Sequence, residues 1–255
     1  MSVSLEGGCF VSDMRAGSPV VAGTLSRWDL IGPQNGAKAI SLSILEYGTG
    51  LSPWLSAPDS DHILYLLETT ENAEANCKVF IEPWEYEVRP QTGVYIPRGK
   101  SMAVDNDRSE PVIFISSRSP NSDLTIVDRV SDMHETQGER PRQTVRLADR
   151  PPHSTADRWY RVLVDDELGS TQATQFVGSI PPGRAPDHFH TYEEVLFILR
   201  GEGRMWAGQT NTPIGRGSCV YLPKGQRHCV ENTGTDELRV LGVFYPAGSP
   251  AVRYE

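Results

Sequence analysis

The chain has 255 residues, 38% of them hydrophobic and 22% charged, with a formal net charge of -9 and a pI near 5.2. This content supports one large or two smaller globular domains and excludes a wholly disordered chain. The acidic balance argues against nucleic acid as the main partner, because phosphate binding needs a basic face.

No run approaches the ~18 apolar residues that a membrane-spanning helix requires, so no membrane partner is expected. The opening MSVSLEGGCFVSDM lacks a basic region followed by an apolar one, so it does not read as a signal peptide. Cys9, Cys77, Cys219 and Cys229 form no C-x-x-C pair, and the chain has no N-x-[ST] sequon. They read as reduced thiols of a cytoplasmic protein.

Taken in chain order, the apolar runs are short: AISLSIL, HILYLL, GVYIP, VIFIS, ATQFVGSI, VLFIL, CVYLP and RVLGVFY. Each is bounded by Gly, Pro, Asn or Asp, and helical periodicity is scarce. The pattern predicts an all-β protein, an antiparallel sandwich or barrel. The runs also recur in order. HILYLLE corresponds to EVLFILRGEG, GVYIPRGKSMAVDN to SCVYLPKGQRHCVEN, and PVIFISSRSP to LRVLGVFYPAGSP. The offset is 132 residues from Ile63 to Val195 and 126 from Tyr95 to Tyr221, so the first half carries six extra residues in the loop between. Two copies of one β unit are expected. The charged, proline-containing stretch between them reads as a connection. The expected organisation is a first unit at 1–118, a connection at 119–157 and a second unit at 158–255.

The second unit contains GRAPDHFHTYEEVLFILRGEG. In an extended chain, alternate side chains share a face, which groups His188, His190 and Glu194 ahead of a buried run. Two imidazoles and a carboxylate on one face suit a metal ion, although His-x-His pairs also occur in exposed loops. A further candidate, His228, follows the turn at Pro223 and Gly225.

The spacings G-x4-H-x-H-x3-E-x6-G (Gly183, His188, His190, Glu194, Gly201) and G-x5-P-x-G-x2-H-x3-N (Gly217, Pro223, Gly225, His228, Asn232) resemble the two motifs of the cupin superfamily. The first motif has four residues, where five are usual, between its glycine and first histidine. The resemblance is strong for roughly 171–245 and weaker for roughly 39–117. It implies a bicupin, tandem double-stranded β-helix (jelly-roll) barrels. It further implies one divalent metal ion per chain (Mn, Fe, Ni or Zn), held inside the second barrel by His188, His190, Glu194 and His228. Alignment of the first unit puts Ser56, Pro58, His62 and Met102 at those positions. That set is too poor in ligands for a divalent ion, so the first barrel is expected to serve folding and assembly.

Around the metal, Arg204, Tyr221, Trp206 and Phe176 are the candidate substrate-binding residues. Arg204 would pair with a carboxylate in the barrel mouth, or would be a solvated surface residue. Leu196, Ile198 and Phe244 read as core. Glu193 should face away from Glu194. Bicupins of similar outline include dioxygenases, oxalate decarboxylases, sugar isomerases and ureidoglycine aminohydrolases. The expected function is therefore a metal-dependent enzyme acting on a small polar or carboxylate metabolite. The alternative is a non-catalytic small-molecule-binding or structural cupin that retains a metal. Exposed strand edges favour a homo-oligomer, a dimer or larger.

Overall fold

The structure is a computed structural model and describes residues 2–68, 76–128, 139–155 and 157–251. Among these residues the helical content is four short 3₁₀ turns, at Glu6–Gly8, Pro33–Asn35, Leu147–Asp149 and Asp166–Leu168. None is long and apolar enough to cross a membrane. The rest is strand and turn, as the short apolar runs predict.

The strands form two jelly-roll barrels, each a large sheet facing a smaller one. The first joins a seven-stranded sheet, with Asp61–Leu66, Val112–Ser119 and Ser41–Tyr47 at its centre, to a six-stranded one. The second joins an eight-stranded sheet, with Glu193–Arg200, Leu238–Tyr245 and Thr174–Ile180 at its centre, to a four-stranded one. The repeat is visible in the register. His62 pairs with Arg118 and Glu194 with Phe244, so His62 and Glu194 hold the same place in the two barrels. The extra loop of the first half falls between Asp61–Leu66 and Cys77–Ile81, and 69–75 of it lie outside the described residues.

Three strands are exchanged between the halves, Val3–Ser4 and Phe10–Asp13 to the second barrel and Thr144–Arg146 to the first. Phe10–Asp13, near the start of the chain, pairs with Ser218–Leu222 of the second barrel. Thr144–Arg146, from the expected connection, pairs with Thr92–Ile96 of the first. Each barrel is thus closed by the strand that leads into the other copy. The division expected at 118 and 157 does not follow sheet membership at these strands. The apolar runs end well short of them, and a lone short edge strand carries little periodicity of its own. Residues 129–138 and 156 of the connection lie outside the described residues.

Three apolar cores follow from the alternation of side chains. Leu64, Leu66 and Phe114 fill the first barrel, and Leu196, Ile198 and Val230 fill the second. Their neighbours Ile63, Tyr65, Val195 and Phe197 point the other way and meet in a third core between the two large sheets. This is why HILYLL and VLFIL are continuous apolar runs rather than alternating ones. Their strands are buried on both faces, as in any sheet covered on both sides. Each fully buried side chain of this kind contributes roughly 1.5–3 kcal/mol.

Candidate metal centre

The two histidine segments are zipped together by the backbone. His188 N–H donates to His228 O at 3.0 Å, and His228 N–H donates to His188 O at 2.8 Å. The turn between Leu222 and His228 needs Gly225 at a φ of +80°, which glycine adopts without a Cβ penalty. The Gly225 amide then donates to His190 O at 2.8 Å. His188 lies in a bridge ahead of the strand and His190 in the segment that follows it; the regular strand begins at Glu193. Convergence of His228 with the first pair, which strand periodicity alone does not supply, is produced by this reciprocal bridge.

The ligand atoms of His188, His190 and His228 lie within 4.8 Å of one another. Two of the rings are held from behind. His188 Nδ1 is 3.1 Å from Pro186 O, and His228 Nδ1 is 2.8 Å from Gln226 O. A ring nitrogen facing a carbonyl oxygen carries the proton, so Nε2 of each keeps its lone pair for the cluster. Glu194 lies beside this three-histidine group, with Oε2 3.4 Å from His190 Nε2. His190, Glu194 and His228 are buried.

The electrostatics match the donor set. Burial raises the Glu194 carboxyl to about 8. Burial, and then the neighbouring His188 ring, lowers His228 to about 4. A desolvated carboxylate beside neutral imidazoles lacks a counter-charge, and a divalent cation supplies one. Three imidazole nitrogens and one carboxylate fit a borderline divalent ion, with coordination positions to spare.

A cavity of about 120 Å³ stands over the cluster, lined by the four groups and by Arg158, Tyr160, Phe176, Tyr192 and the apolar wall of Ile180, Leu196, Val230 and Val240. It is the size of a few waters at about 30 Å³ each, which limits any occupant to a small molecule. Phe176 reaches this wall because Gly242 lies behind it. A Cβ at Gly242 would sit 2.3 Å from the Phe176 ring.

Of the residues expected to bind substrate, Phe176 is in place and three are not. Arg204 is exposed and donates to Asn211 Oδ1 at 2.7 Å. Trp206 lies on the same outer face, donating to Glu231 Oε2 at 2.7 Å, with the Arg184 guanidinium 4.1 Å from its ring centre. The reason is parity: Met205 and Ala207 of that strand face the core, so 204 and 206 cannot. Tyr221 likewise alternates with Val220 and Leu222, which face inward. Its hydroxyl donates to Glu193 Oε1 at 3.1 Å, between the barrels.

Arg158, Tyr160 and Tyr192 line the cavity without having been singled out in the sequence. Tyr192 was findable, since it falls between His190 and Glu194 on the same alternation. Its ring stacks between those of His190, at 4.5 Å, and Phe244, at 4.5 Å. Arg158 opens RWYRVLV, where charged and apolar residues mix, and no pattern marks which of its charges faces in.

The family model described as "Cupin domain" matches residues 176–244. The second barrel carries a cupin domain over these residues. The chain is 36% identical over 67 residues to an oxalate-binding protein of Thermotoga maritima, a match covering 26% of this chain and 55% of that protein. It is 33% identical over 73 residues to auxin-binding protein 1 of Arabidopsis thaliana, covering 25% of this chain and 37% of that protein. The chain therefore spans about half the length, or less, of these cupin relatives. A solved structure of a Bacillus subtilis oxalate decarboxylase variant superposes with a TM-score of 0.74 at 14% identity, covering 92% of this chain and 76% of the other. At that identity the likeness is one of fold, and it extends over both barrels.

Proposed function

We propose that the second barrel holds one divalent metal ion (Mn, Fe, Ni or Zn) through His188, His190, His228 and Glu194, and that the protein is a metal-dependent enzyme acting on a small carboxylate. The observation that carries this reading is the convergence of three histidine ligand atoms within 4.8 Å on the floor of a cavity. When bound, the ion supplies Lewis-acid polarisation of an oxygen ligand.

The chain's own residues do the rest. Arg158 lines the cavity, with its side chain 16% exposed and its Nε 3.4 Å from the largely exposed carboxylate of Asp157. A mostly buried guanidinium beside a metal-ligand set suits a substrate carboxylate, which it can grip bidentately. Phe176, Leu196 and Val240 exclude water from the rest of the molecule. Tyr160 and Tyr192 line the same cavity and carry hydroxyls of the kind that orients such a ligand. Two of the similar proteins carry oxalate in their names, and oxalate is a dicarboxylate of a size this cavity suits.

A second reading is capture without turnover. It is favoured by the titratable groups that line the cavity besides the four proposed ligands: among the described residues these are one arginine and two tyrosines, residue types suited to gripping more than to shuttling protons at neutral pH. Loading the protein with each metal and offering small carboxylates separates the readings, since both require binding and only the first requires product. Arg158→Gln should weaken carboxylate binding about tenfold, and Arg204→Ala should leave it unchanged. A metal-loaded protein that binds no small carboxylate would overturn both readings.

A further inference from the structure

The first barrel has lost the metal ligands but not the cavity. A cleft of about 850 Å³ opens at its mouth, lined by Arg27, Asp29, Ser41, Pro58 and Arg118 among others. Register places it opposite the metal-site cavity of the second barrel. Arg118 pairs with His62 and with Ser41, as Phe244 pairs with Glu194 and with Thr174. Arg27 pairs with Leu45, as Tyr160 pairs with Gly178. The positions held by the aromatic rings of Phe244 and Tyr160 in the second barrel are therefore held by guanidinium groups in the first.

These groups are arranged as a cradle rather than as a closed ion-pair network. Arg118 is 6% exposed, and its Nε donates to Ser122 O at 2.9 Å. Its Nη1 is buried and has no hydrogen-bond partner among the described residues. The Ser41 hydroxyl, on the strand alongside, is buried and equally without a partner. Arg27 Nη1 donates to Leu124 O at 2.5 Å, and its buried Nε lies 3.0 Å from Asp29 Oδ2 as an ion pair without a hydrogen bond. Asp29 also accepts from the Ser43 hydroxyl at 2.8 Å. Asp59 and Asp123 lie exposed on the rim, and Asp59 faces Arg98 at 3.5 Å. Among the described residues, Arg27 and Arg118 share the lining with three exposed carboxylates, Asp29, Asp59 and Asp123, and Arg118 is the charged group of the lining that is buried. His62 adds no charge, because burial, and then Arg118, lowers it to about 3, and its ring meets the Ser116 hydroxyl at 2.8 Å. A buried guanidinium N–H without an acceptor costs the full desolvation of that donor.

We propose that the first barrel is a second ligand site, which binds a small singly charged carboxylate through Arg118 Nη1 and the Ser41 hydroxyl without a metal ion. A carboxylate satisfies both orphaned donors and sets a counter-charge beside the buried Arg118 guanidinium. The site is distinct from the one in the second barrel. It shares neither residues nor metal with it, and it survives if the reading of that barrel fails.

The test uses the full chain carrying Arg158→Gln, treated with chelator, so that the second barrel is silent. Titration calorimetry with acetate, benzoate and inorganic phosphate should show one saturable site preferring the carboxylates. Arg118→Met in that background should weaken it about tenfold or more, and Ser41→Ala less. Arg118→Lys keeps the charge but loses the fork, so it should also weaken binding, and it covers the case in which the methionine variant does not fold. No saturable binding, binding unmoved by either arginine change, or phosphate bound in preference to carboxylate would overturn the proposal.

Discussion

Glu193 and Glu194 are adjacent in the chain and serve opposite faces of one strand. Glu194 points into the second barrel, 3.4 Å from His190 Nε2. Glu193 points between the barrels and accepts from the Tyr221 hydroxyl at 3.1 Å and from the backbone amides of Lys38, at 3.1 Å, and Ala39, at 2.8 Å. One carboxylate faces the histidine cluster and the other clamps the first half of the chain to the second.

The two should separate cleanly on substitution. Glu193→Ala leaves buried donors unsatisfied and should destabilise by about 1–3 kcal/mol, with metal content unchanged. Glu194→Gln removes the anionic donor and should lower metal content with little loss of chelator-treated stability. Thermal melts with and without chelator, alongside elemental analysis, check both.

The first barrel should carry a sensitivity to acid. The folded state holds His62 at about 3, against an ordinary value near 6.5. Between those values the unfolded chain binds a proton that the folded chain does not, so stability is lost as pH falls from about 6.5 toward 3, by up to ~1.4 kcal/mol per pH unit. His62→Gln keeps a hydrogen-bonding group for Ser116 and should flatten this loss. Denaturant midpoints for parent and variant at pH 7 and pH 5 give the comparison, and an equal drop in both proteins would exclude His62 as the source.

The edge strand Val20–Ala22 exposes Val20 at 53% and Val21 at 65%. Unpaired edge groups and exposed valines favour strand pairing between copies, so a dimer or larger assembly is expected. Sedimentation should give a mass above the 28.2 kDa of one chain, and Val20→Lys with Val21→Lys should shift it toward that value. A parent sedimenting as one chain across a range of concentrations would contradict the expectation.

What was legible in the sequence follows from which interactions are local. The barrels were legible because VLFIL and its counterparts are short, bounded and repeated. The pairing of His188 with His190 was legible because alternation in an extended chain is a local rule, whereas Glu194 lies beyond the bend at 191–192, at the start of the regular strand. The approach of His228 was not, because a backbone bridge between residues forty positions apart leaves no periodic trace; it came from resemblance. Arg204, Trp206 and Tyr221 were misplaced because parity within a strand depends on where the strand begins, and a turn glycine such as Gly201 does not fix that phase. The exchange of Phe10–Asp13 and Thr144–Arg146 between barrels was out of reach for the same reason as His228, since strand pairing across half the chain is decided by tertiary contacts.

The most direct test is elemental analysis of the purified parent chain beside His228→Ala and Met102→Ala. Met102 holds in the first barrel the place that His228 holds in the second, and it is buried among Leu55, Ile81 and Val104. The account predicts one divalent ion per parent chain, most of it lost in His228→Ala and all of it kept in Met102→Ala. Chelator should lower the melting temperature of the parent, because an ion that binds only the folded state stabilises it. Two ions per chain, or an ion that survives His228→Ala and is lost with Met102→Ala, would contradict the placement of the metal site in the second barrel.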